Sequence, residues 1–576
     1  MELPGFVELK RNLKKDMSSF PAVTAAVIGD CATQHFSAAL AGWGYTVGIR
    51  YDIFDSDYDQ IDAQTMDPSS ELYSHAPQNV IIVNCTQRLY EDFCAFPPER
   101  RAEFADTKAA AIESVWKRIC DSVRTRIIQL DFPEWDDRVF GDYASRTPES
   151  FIYQLRRLNG LISDRAKEYK NLFISDICGI QSRIGEQALR DDKMYCVGKL
   201  PFRTDALPLI AKHITDIILA ASGRFKKCAV LDLDNTLWGG VIGDDGMDGI
   251  QIGELGTGHA FTEFQRWLKE LKNRGIILCV CSKNNDSAAR EPFLNHPDMV
   301  LRLEDISVFV ANWQDKATNI LSIRDTLNIG LDSMVFIDDN PFEREAVRSL
   351  APGITVPDLP ESPEDYVSFL RGEDLFGTAS FSSEDRARTD QYRAEAERVG
   401  LRSRCADYGE YLRSLEMVAE AKPFDSFSFP RISQLTQRSN QFNLRTVRYS
   451  EQDIADLAAD PGCITLYFKL RDRFGDHGLI SVVVMKKRGK ELFVDTWLMS
   501  CRVLKRGMEE FIVNKMISVA REAGFGRVIG EYVPTAKNSM VADIYPRLGF
   551  TPAGDNLYSA DTASFTPNQT YITEEK

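Results

Sequence analysis

Asp232 and Asp234 stand two residues apart at the end of an apolar run, in the stretch CAVLDLDNTLWGG (228–240). Carboxylates at i and i+2 share a face only within regular β structure. At a strand end, where the chain turns, both can address one ligand from the carboxyl edge of a sheet, the edge at which open parallel sheets bind their ligands. Paired carboxylates there favour a hard cation such as Mg2+. The same D-x-D-N pattern is also good turn chemistry, with Asx side chains capping the backbone. Three later features stand in series with it. Ser282 follows IILCVC (276–281), and its hydroxyl and the N–H groups around Lys283 and Asn284 can hold a phosphoryl oxygen at a helix start. Lys316, in NWQDKATNI, supplies a cation for developing negative charge. Asp338 and Asp339 follow MVFI and add acidic metal ligands. The separations between 232, 282, 316 and 338 each match one βα unit or two.

The elements that must position these residues are legible as apolar runs. In the middle of the chain, strands are expected at the start of CAVLDLDNTLWGG (228–240), at IILCVC (276–281), near 307–310 and at MVFIDD (334–339), with helices at 259–274, 286–295, 315–328 and 341–350. This alternation predicts a doubly wound parallel sheet. VIGDDGMDGIQIG (241–253) suits a small β-hairpin flap, and the length up to Ser282 leaves no room for a large inserted cap. Ahead of it, AAVIGD (25–30), NVIIVN (79–84), RTRIIQL (124–130) and NLFISD (171–176) predict another α/β unit, closed by a helix near 205–221 and the SGRFKK hinge. After a Pro-rich exit (351–365) and a charged helical linker (382–400), strands at 463–472, 479–487 and 491–500, a helix at 507–523, a strand near 527–532 and a helix near 538–548 predict an α+β unit. The expected domains are 1–222, 223–380 and 381–576, in an α/β multidomain chain.

With 576 residues, length alone suggests three to four domains. Hydrophobic residues at 44% and charged residues at 27% are ordinary for a globular protein and exclude a disordered or low-complexity chain. A net charge of −16 disfavours general nucleic-acid binding. None of the 12 cysteines forms a C-x-x-C pair, which removes zinc-ribbon and thioredoxin readings. A large chain with an ordinary core has reduced thiols as its simplest state, hence a cytoplasmic setting. The N-terminal residues lack a signal-peptide apolar region, and no 18-residue apolar run exists, so no membrane span is expected.

The set D232-L-D-N-T-L, Ser282, Lys316 and D338-D resembles the haloacid dehalogenase (HAD) superfamily of phosphatases and phosphotransferases. The resemblance implies Asp232 as the nucleophile that becomes an aspartyl phosphate and Asp234 as general acid and base. It implies Ser282 and Lys316 as holders of the phosphoryl group. Mg2+ would be bound by Asp232, Asp338, Asp339 and the backbone carbonyl of Asp234. A carboxylate nucleophile facing a phosphate dianion needs such a cation. The wording LDNTLWGGVIGDDG, FIDDNPFERE (336–345), LTQRSNQFNLRT (435–446), DRFGDHGLISVVV (472–484) and TWLMSCRVLKRGMEEF (496–511) is narrower and is similar to the FkbH-like proteins of HAD subfamily IIIC. Members load a glyceryl unit from 1,3-bisphosphoglycerate onto the phosphopantetheine thiol of an acyl carrier protein in polyketide-type biosynthesis. The partners implied are therefore an acyl carrier protein and a phosphorylated acyl donor.

The third domain resembles the GNAT acyltransferase fold, with Arg502 and Gly507 in the place of its pyrophosphate loop and Lys505 where a glycine is wanted. Cys501, just before that loop, is a candidate acyl carrier or a buried strand cysteine. The first domain resembles SGNH hydrolases and is expected to be flavodoxin-like, with Cys31 of IGDCATQ where that fold places its serine. A following helix N-terminus would lower the thiol of Cys31 and make it a nucleophile; the alternative is a structural loop cysteine. Asn84 is a candidate oxyanion group, but no D-x-x-H pair completes a triad. The polar set Gln434, Gln437, Arg438, Asn440, Gln441, Asn443 and Arg445 reads either a substrate or carrier arm, or forms a solvated face. His477 and His259 are expected as polar decoration or caps, and KKRGK (486–490) as a hairpin turn. Two further readings of the whole stay open: a plain HAD phosphatase acting on a small metabolite, and a non-catalytic platform that docks carrier proteins.

Overall fold

The computed structural model describes residues 3–378, 398, 407–439, 441–500, 503–535 and 537–575. The chain forms two compact units, Met1–Ala221 and Ser222–Lys576. The expected boundary at 380/381 and nearly all of the 382–400 linker lie outside the described residues.

The first unit is built on five parallel strands, β1 (Ala22–Gly29), β2 (Arg50–Asp55), β3 (Asn79–Val83), β4 (Arg126–Leu130) and β5 (Leu172–Ser175), in the order β2-β1-β3-β4-β5. This is the flavodoxin-like order. Alternate residues of β1 enter opposite cores: Ala25 and Val27 pack on one face, Ala26 and Ile28 on the other. Burial on both faces is why these strands read as unbroken apolar runs. Strand β2 was not expected, because Arg50, Asp52 and Asp55 interrupt its apolar residues at a half-exposed edge.

The second unit holds two sheets. Strands β6 (Cys228–Leu231), β7 (Ile277–Ser282), β8 (Ile306–Ala311) and β9 (Met334–Ile337) are parallel, in the order β8-β7-β6-β9. Central β6 is therefore flanked by β7 and β9, and the residues after Leu231 emerge between their carboxyl ends. Ala229 and Leu231 face one core, Cys228 and Val230 the other. The expected hairpin flap is instead a loop. Gly239 and Gln251 close it with reciprocal backbone hydrogen bonds of 3.0 and 2.8 Å, and its only regular element is the helical turn Ile242–Asp245. Two adjacent Asp residues near that turn's start and Gly246 at its end favour a turn over paired strands. The one helix Gly256–Asn273 links the flap to β7, so no large cap intervenes.

The other sheet has eight strands: β10 (Val418–Lys422), β11 (Cys463–Asp472), β12 (Gly475–Arg488), β13 (Glu491–Met499), β14 (Arg527–Glu531), β15 (Thr551–Gly554), β16 (Leu557–Asp561) and β17 (Thr573–Glu574). Their order is β15-β16-β14-β13-β12-β11-β10-β17. The β12–β13 turn falls on the KKRGK stretch as expected. The helix expected at 538–548 is two short helical turns, Ser539–Val541 and Ile544–Arg547. Parallel β13 and β14 pair only over Glu491–Phe493 and Arg527–Ile529 and then diverge.

Candidate active site

Asp232 follows β6 directly, and its amide donates to the Ile337 carbonyl of β9 at 3.0 Å. The chain then turns sharply: Asn235 takes a left-handed conformation (φ 54°), and its side chain accepts the Gly240 amide at 2.9 Å. Asx residues tolerate that conformation and cap such turns. Asp338 follows β9 and is fully buried. Lys316 opens the helix Lys316–Leu327, whose N-cap Asp315 accepts the Thr318 amide. Ser282 ends β7 and is buried.

These elements bring the acidic and basic groups together. Lys316 Nζ lies 2.9 Å from Asp232 Oδ2 and 2.6 Å from Asp338 Oδ2, with only 4% of its side chain exposed. Burial works against its charge, but the two carboxylates outweigh that and raise it. Burial, reinforced by Asp232, pushes Asp338 up to about 7 and Asp339 upward. Carboxylate oxygens of Asp232, Asp338 and Asp339 lie within 4.8 Å of one another. One cation among three buried carboxylates leaves negative charge uncompensated. Asp232 Oδ1 is buried and has no hydrogen-bond partner. All-oxygen donors plus an orphaned carboxylate oxygen fit a hard divalent ion. Asp339 is steadied by the Thr236 hydroxyl at 3.1 Å.

Asp234 is held separately. Its Oδ1 accepts Trp238 Nε1–H at 2.9 Å and the Ile242 amide at 3.0 Å, and its Oδ2 accepts Asn284 Nδ2–H at 2.8 Å. Burial raises it above the usual carboxylate range, against those bonds. Its side chain thus belongs to the flap and the β7 loop rather than to the acidic triad. Sequence reasoning passed over Trp238 and weighed Asn284 only for its backbone; their side chains hold Asp234, and their place inside the DNTLW and SKNN motifs was the available signal. Lys283 pairs with Glu343 at 2.6 Å on the rim.

The other candidates fare differently. Cys31 is 1% exposed and donates its thiol toward the Val83 carbonyl at 3.7 Å. Cys85, burial and Asp30 together push that thiol well up, not down. The helix expected to lower it starts at Gln34 with Thr33 as its cap, too far along the chain to act on Cys31. Asn84 serves Asp30 and Gln129, at 2.8 and 3.0 Å. Cys501 and Arg502 lie outside the described residues. Gly507 caps the helix Met508–Glu522 in a left-handed conformation (φ 84°), while Glu509 accepts the Lys505 amide at 2.9 Å. An acidic side chain therefore occupies an amide that a bound pyrophosphate would use. His477 is not surface decoration: it is buried between Asp472 (3.0 Å) and Arg506 (3.3 Å), and burial lowers it.

Of the polar set around 434–445, Asn440 and the Arg438 side chain lie outside the described residues, Asn443 is buried, and Gln434, Gln437, Gln441 and Arg445 are half-buried. Phe442, Asn443 and Leu444 are buried in the gap where β13 and β14 diverge. The Phe442 carbonyl accepts the Met499 amide (3.1 Å), Leu444 donates to Trp497 (3.3 Å), and the Leu444 carbonyl accepts the Val533 amide (2.8 Å). Arg445 reaches Asp495 at 2.9 Å and Glu531 at 2.5 Å.

Among the described residues no helix is long and apolar enough to cross a membrane. No curated protein matches the chain. Residues 24–219 match the family model "FkbH, N-terminal domain". Among solved structures, the N-terminal part of the protein BF1531 from Bacteroides fragilis, containing a phosphatase domain and complexed with Mg, is 46% identical with a TM-score of 0.63. The match covers 66% of this chain and 100% of that one. The ribosomal-protein-S18-alanine N-acetyltransferase from Escherichia coli is 14% identical with a TM-score of 0.20, over 26% of this chain and 99% of that one. The GNAT domain of S. lividans PAT is 19% identical with a TM-score of 0.20, over 24% and 89%. With its first unit matched by that family model and a 46% identical Mg-bound phosphatase-domain structure covered along its whole length, the chain belongs to the FkbH-like family, with a HAD-type phosphatase domain.

Proposed function

We propose that this chain is a Mg2+-dependent enzyme that cleaves phosphate from a phosphorylated acyl donor of the 1,3-bisphosphoglycerate type and delivers the glyceryl unit to the phosphopantetheine thiol of an acyl carrier protein. The observation that carries the phosphatase half is the unpartnered Oδ1 of Asp232 beside the Lys316 pair. That oxygen attacks phosphorus, the bond to the leaving oxygen breaks, and an aspartyl phosphate forms. Asp234, raised by burial and aimed by Trp238 and Asn284, gives its proton to the leaving oxygen and then takes one from the attacking water. Lys316 and Ser282 hold the phosphoryl oxygens. Asp232, Asp338 and Asp339, with the Asp234 carbonyl, would hold Mg2+, which would supply a counter-charge for the transferred group.

The acyl half rests on family membership and on chemistry. An acyl phosphate is an activated donor, and a thiol attacking its carbonyl releases phosphate and forms a thioester. Direct attack by the carrier thiol needs no enzyme-bound thioester, and the raised, buried Cys31 gives such an intermediate no support. The test is to incubate the chain with Mg2+, a holo carrier protein and 1,3-bisphosphoglycerate and weigh the carrier by intact mass spectrometry. A glyceryl-sized gain is expected; phosphate release without any gain would leave a plain phosphatase.

A further inference from the structure

The first unit holds a second group of ligand-type side chains, used by none of the steps above. Adjacent strands β1 and β3 run in register, with Gly29 opposite Val83. The residues just beyond bring Asp30, Cys31 and Cys85 together at the point where the strand order reverses. A carboxylate oxygen of Asp30 and the two Sγ atoms lie within 4.8 Å of one another. Zn–S bonds of about 2.3 Å at tetrahedral angles separate two sulfurs by about 3.8 Å, so this spacing suits three corners of a tetrahedral zinc site.

The surroundings are those of a supported ligand set. Asp30 accepts Asn84 Nδ2–H at 2.8 Å and the Cys85 amide at 2.9 Å. Asn84 Oδ1 accepts from Gln129 at 3.0 Å, and Gln129 Oε1 accepts from Trp116 at 3.0 Å. Outer hydrogen bonds of this kind fix ligand orientation. Cys85 caps the helix Thr86–Ala95, its Sγ accepting the Arg88 amide at 3.4 Å. Cys31 and Cys85 are both 1% exposed. A buried carboxyl facing two thiols gains most from a shared cation, and two sulfur donors select a borderline-soft ion over Mg2+ or Ca2+. Asn84 and Cys85 also line a cleft with Pro133, Trp135, Arg190 and Phe202, which gives a route to a fourth position.

We propose that Asp30, Cys31 and Cys85 form a zinc-class metal site at the switch point of the first sheet, completed by water from the cleft. Binding is a ligand exchange: both thiols release their protons to solvent as the Zn–S bonds form, with no change of oxidation state.

The test uses the full chain, freed of metal with a chelator, then held in excess Mg2+ to fill the Asp232 site and titrated with Co2+. The expected result is a sulfur-to-cobalt charge-transfer band with tetrahedral visible bands, saturating at a single Co2+ per chain and bleached by Zn2+. Cys31→Ser and Cys85→Ser each remove the band. Asn84→Ala, which leaves all three ligands in place, weakens Co2+ binding about 10–100-fold. Absence of a sulfur band in the reduced chain, or a band unchanged in Cys31→Ser, overturns the proposal. So does a thiol titration that finds Cys31 and Cys85 joined as a disulfide with no metal bound.

Discussion

Asn284 donates its side-chain amide to Asp234 Oδ2 across 2.8 Å, tying the loop after β7 to the carboxylate proposed as the proton carrier. Removing the amide frees Asp234 to rotate about its remaining flap contacts. Asn284→Ala is expected to lower kcat for p-nitrophenyl phosphate about 100-fold, the typical effect of a misplaced group, with KM nearly unchanged. Steady-state kinetics with Mg2+ decides it; an equal loss in KM would make Asn284 a binding residue instead.

Asp232→Asn removes the nucleophile while keeping its shape. Phosphate release is expected to fall by at least about 10^3-fold, and no phosphorylated protein should be trapped on rapid acid quench. Normal turnover in this variant would refute the assignment.

Lys316→Met takes away the one cation that contacts both Asp232 and Asp338. Leaving buried carboxylates unpaired costs about 3–5 kcal/mol. Thermal unfolding should show the second unit strongly destabilised in chelator and partly restored by Mg2+, since the acidic triad then gains another counter-charge. A variant as stable as the parent in chelator would contradict the charge accounting.

Asp131, after β4, is pushed up to about 6 by burial and by Asp176, although it accepts the Ile177 and Cys178 amides. Its folded value lies above the unfolded one, near 4, so the folded unit holds more protons between the two. The stability contribution is complete below pH 4 and is lost as pH rises to about 6, a change of about 3 kcal/mol at most. Protection factors of the β4 and β5 amides, taken relative to the base-catalysed intrinsic rate, should fall over that window in the parent and not in Asp131→Asn; a parallel fall in both would exclude Asp131 as the source.

Asn538 is fully buried and donates to the Asn443 and Val533 carbonyls, each at 2.9 Å, while accepting the Thr535 amide at 2.7 Å. Asn538→Ala leaves buried backbone groups unpaired, at about 1–3 kcal/mol each. A lowered melting temperature with unchanged phosphatase kinetics is the expected pair of results.

The parallel strands were legible because burial on both faces leaves no polar alternation to misread, as in CAVL and MVFI. The residues that follow them were legible because parallel sheets collect chemistry at one edge. Edge strand β2 and the short β10, one place in from its sheet's edge, were not, since RYDIFD and VAEAK carry charges on exposed positions. The 442–444 segment was misread for a different reason. The amide-rich side chains around it drew the reading toward recognition or a solvated face, whereas the hydrogen bonds of 442–444 to Met499, Trp497 and Val533 are made by its backbone, which composition does not display. The lowering expected for the Cys31 thiol was not found because Cys85, burial and Asp30, which only the fold brings together, push it up. Asn284 and Trp238 follow recognised motif residues, yet their service to Asp234 depends on the shape of a loop.

The segment Phe442–Leu444 has a consequence for how the third domain meets any long, flexible visitor. Diverging parallel strands ordinarily offer a slot whose unpaired amides can clasp a threaded chain. Here the protein has threaded itself, and the slot's edges on β13 and beside Val533 are already taken. A flexible arm arriving at this sheet would find that slot's backbone groups already bonded.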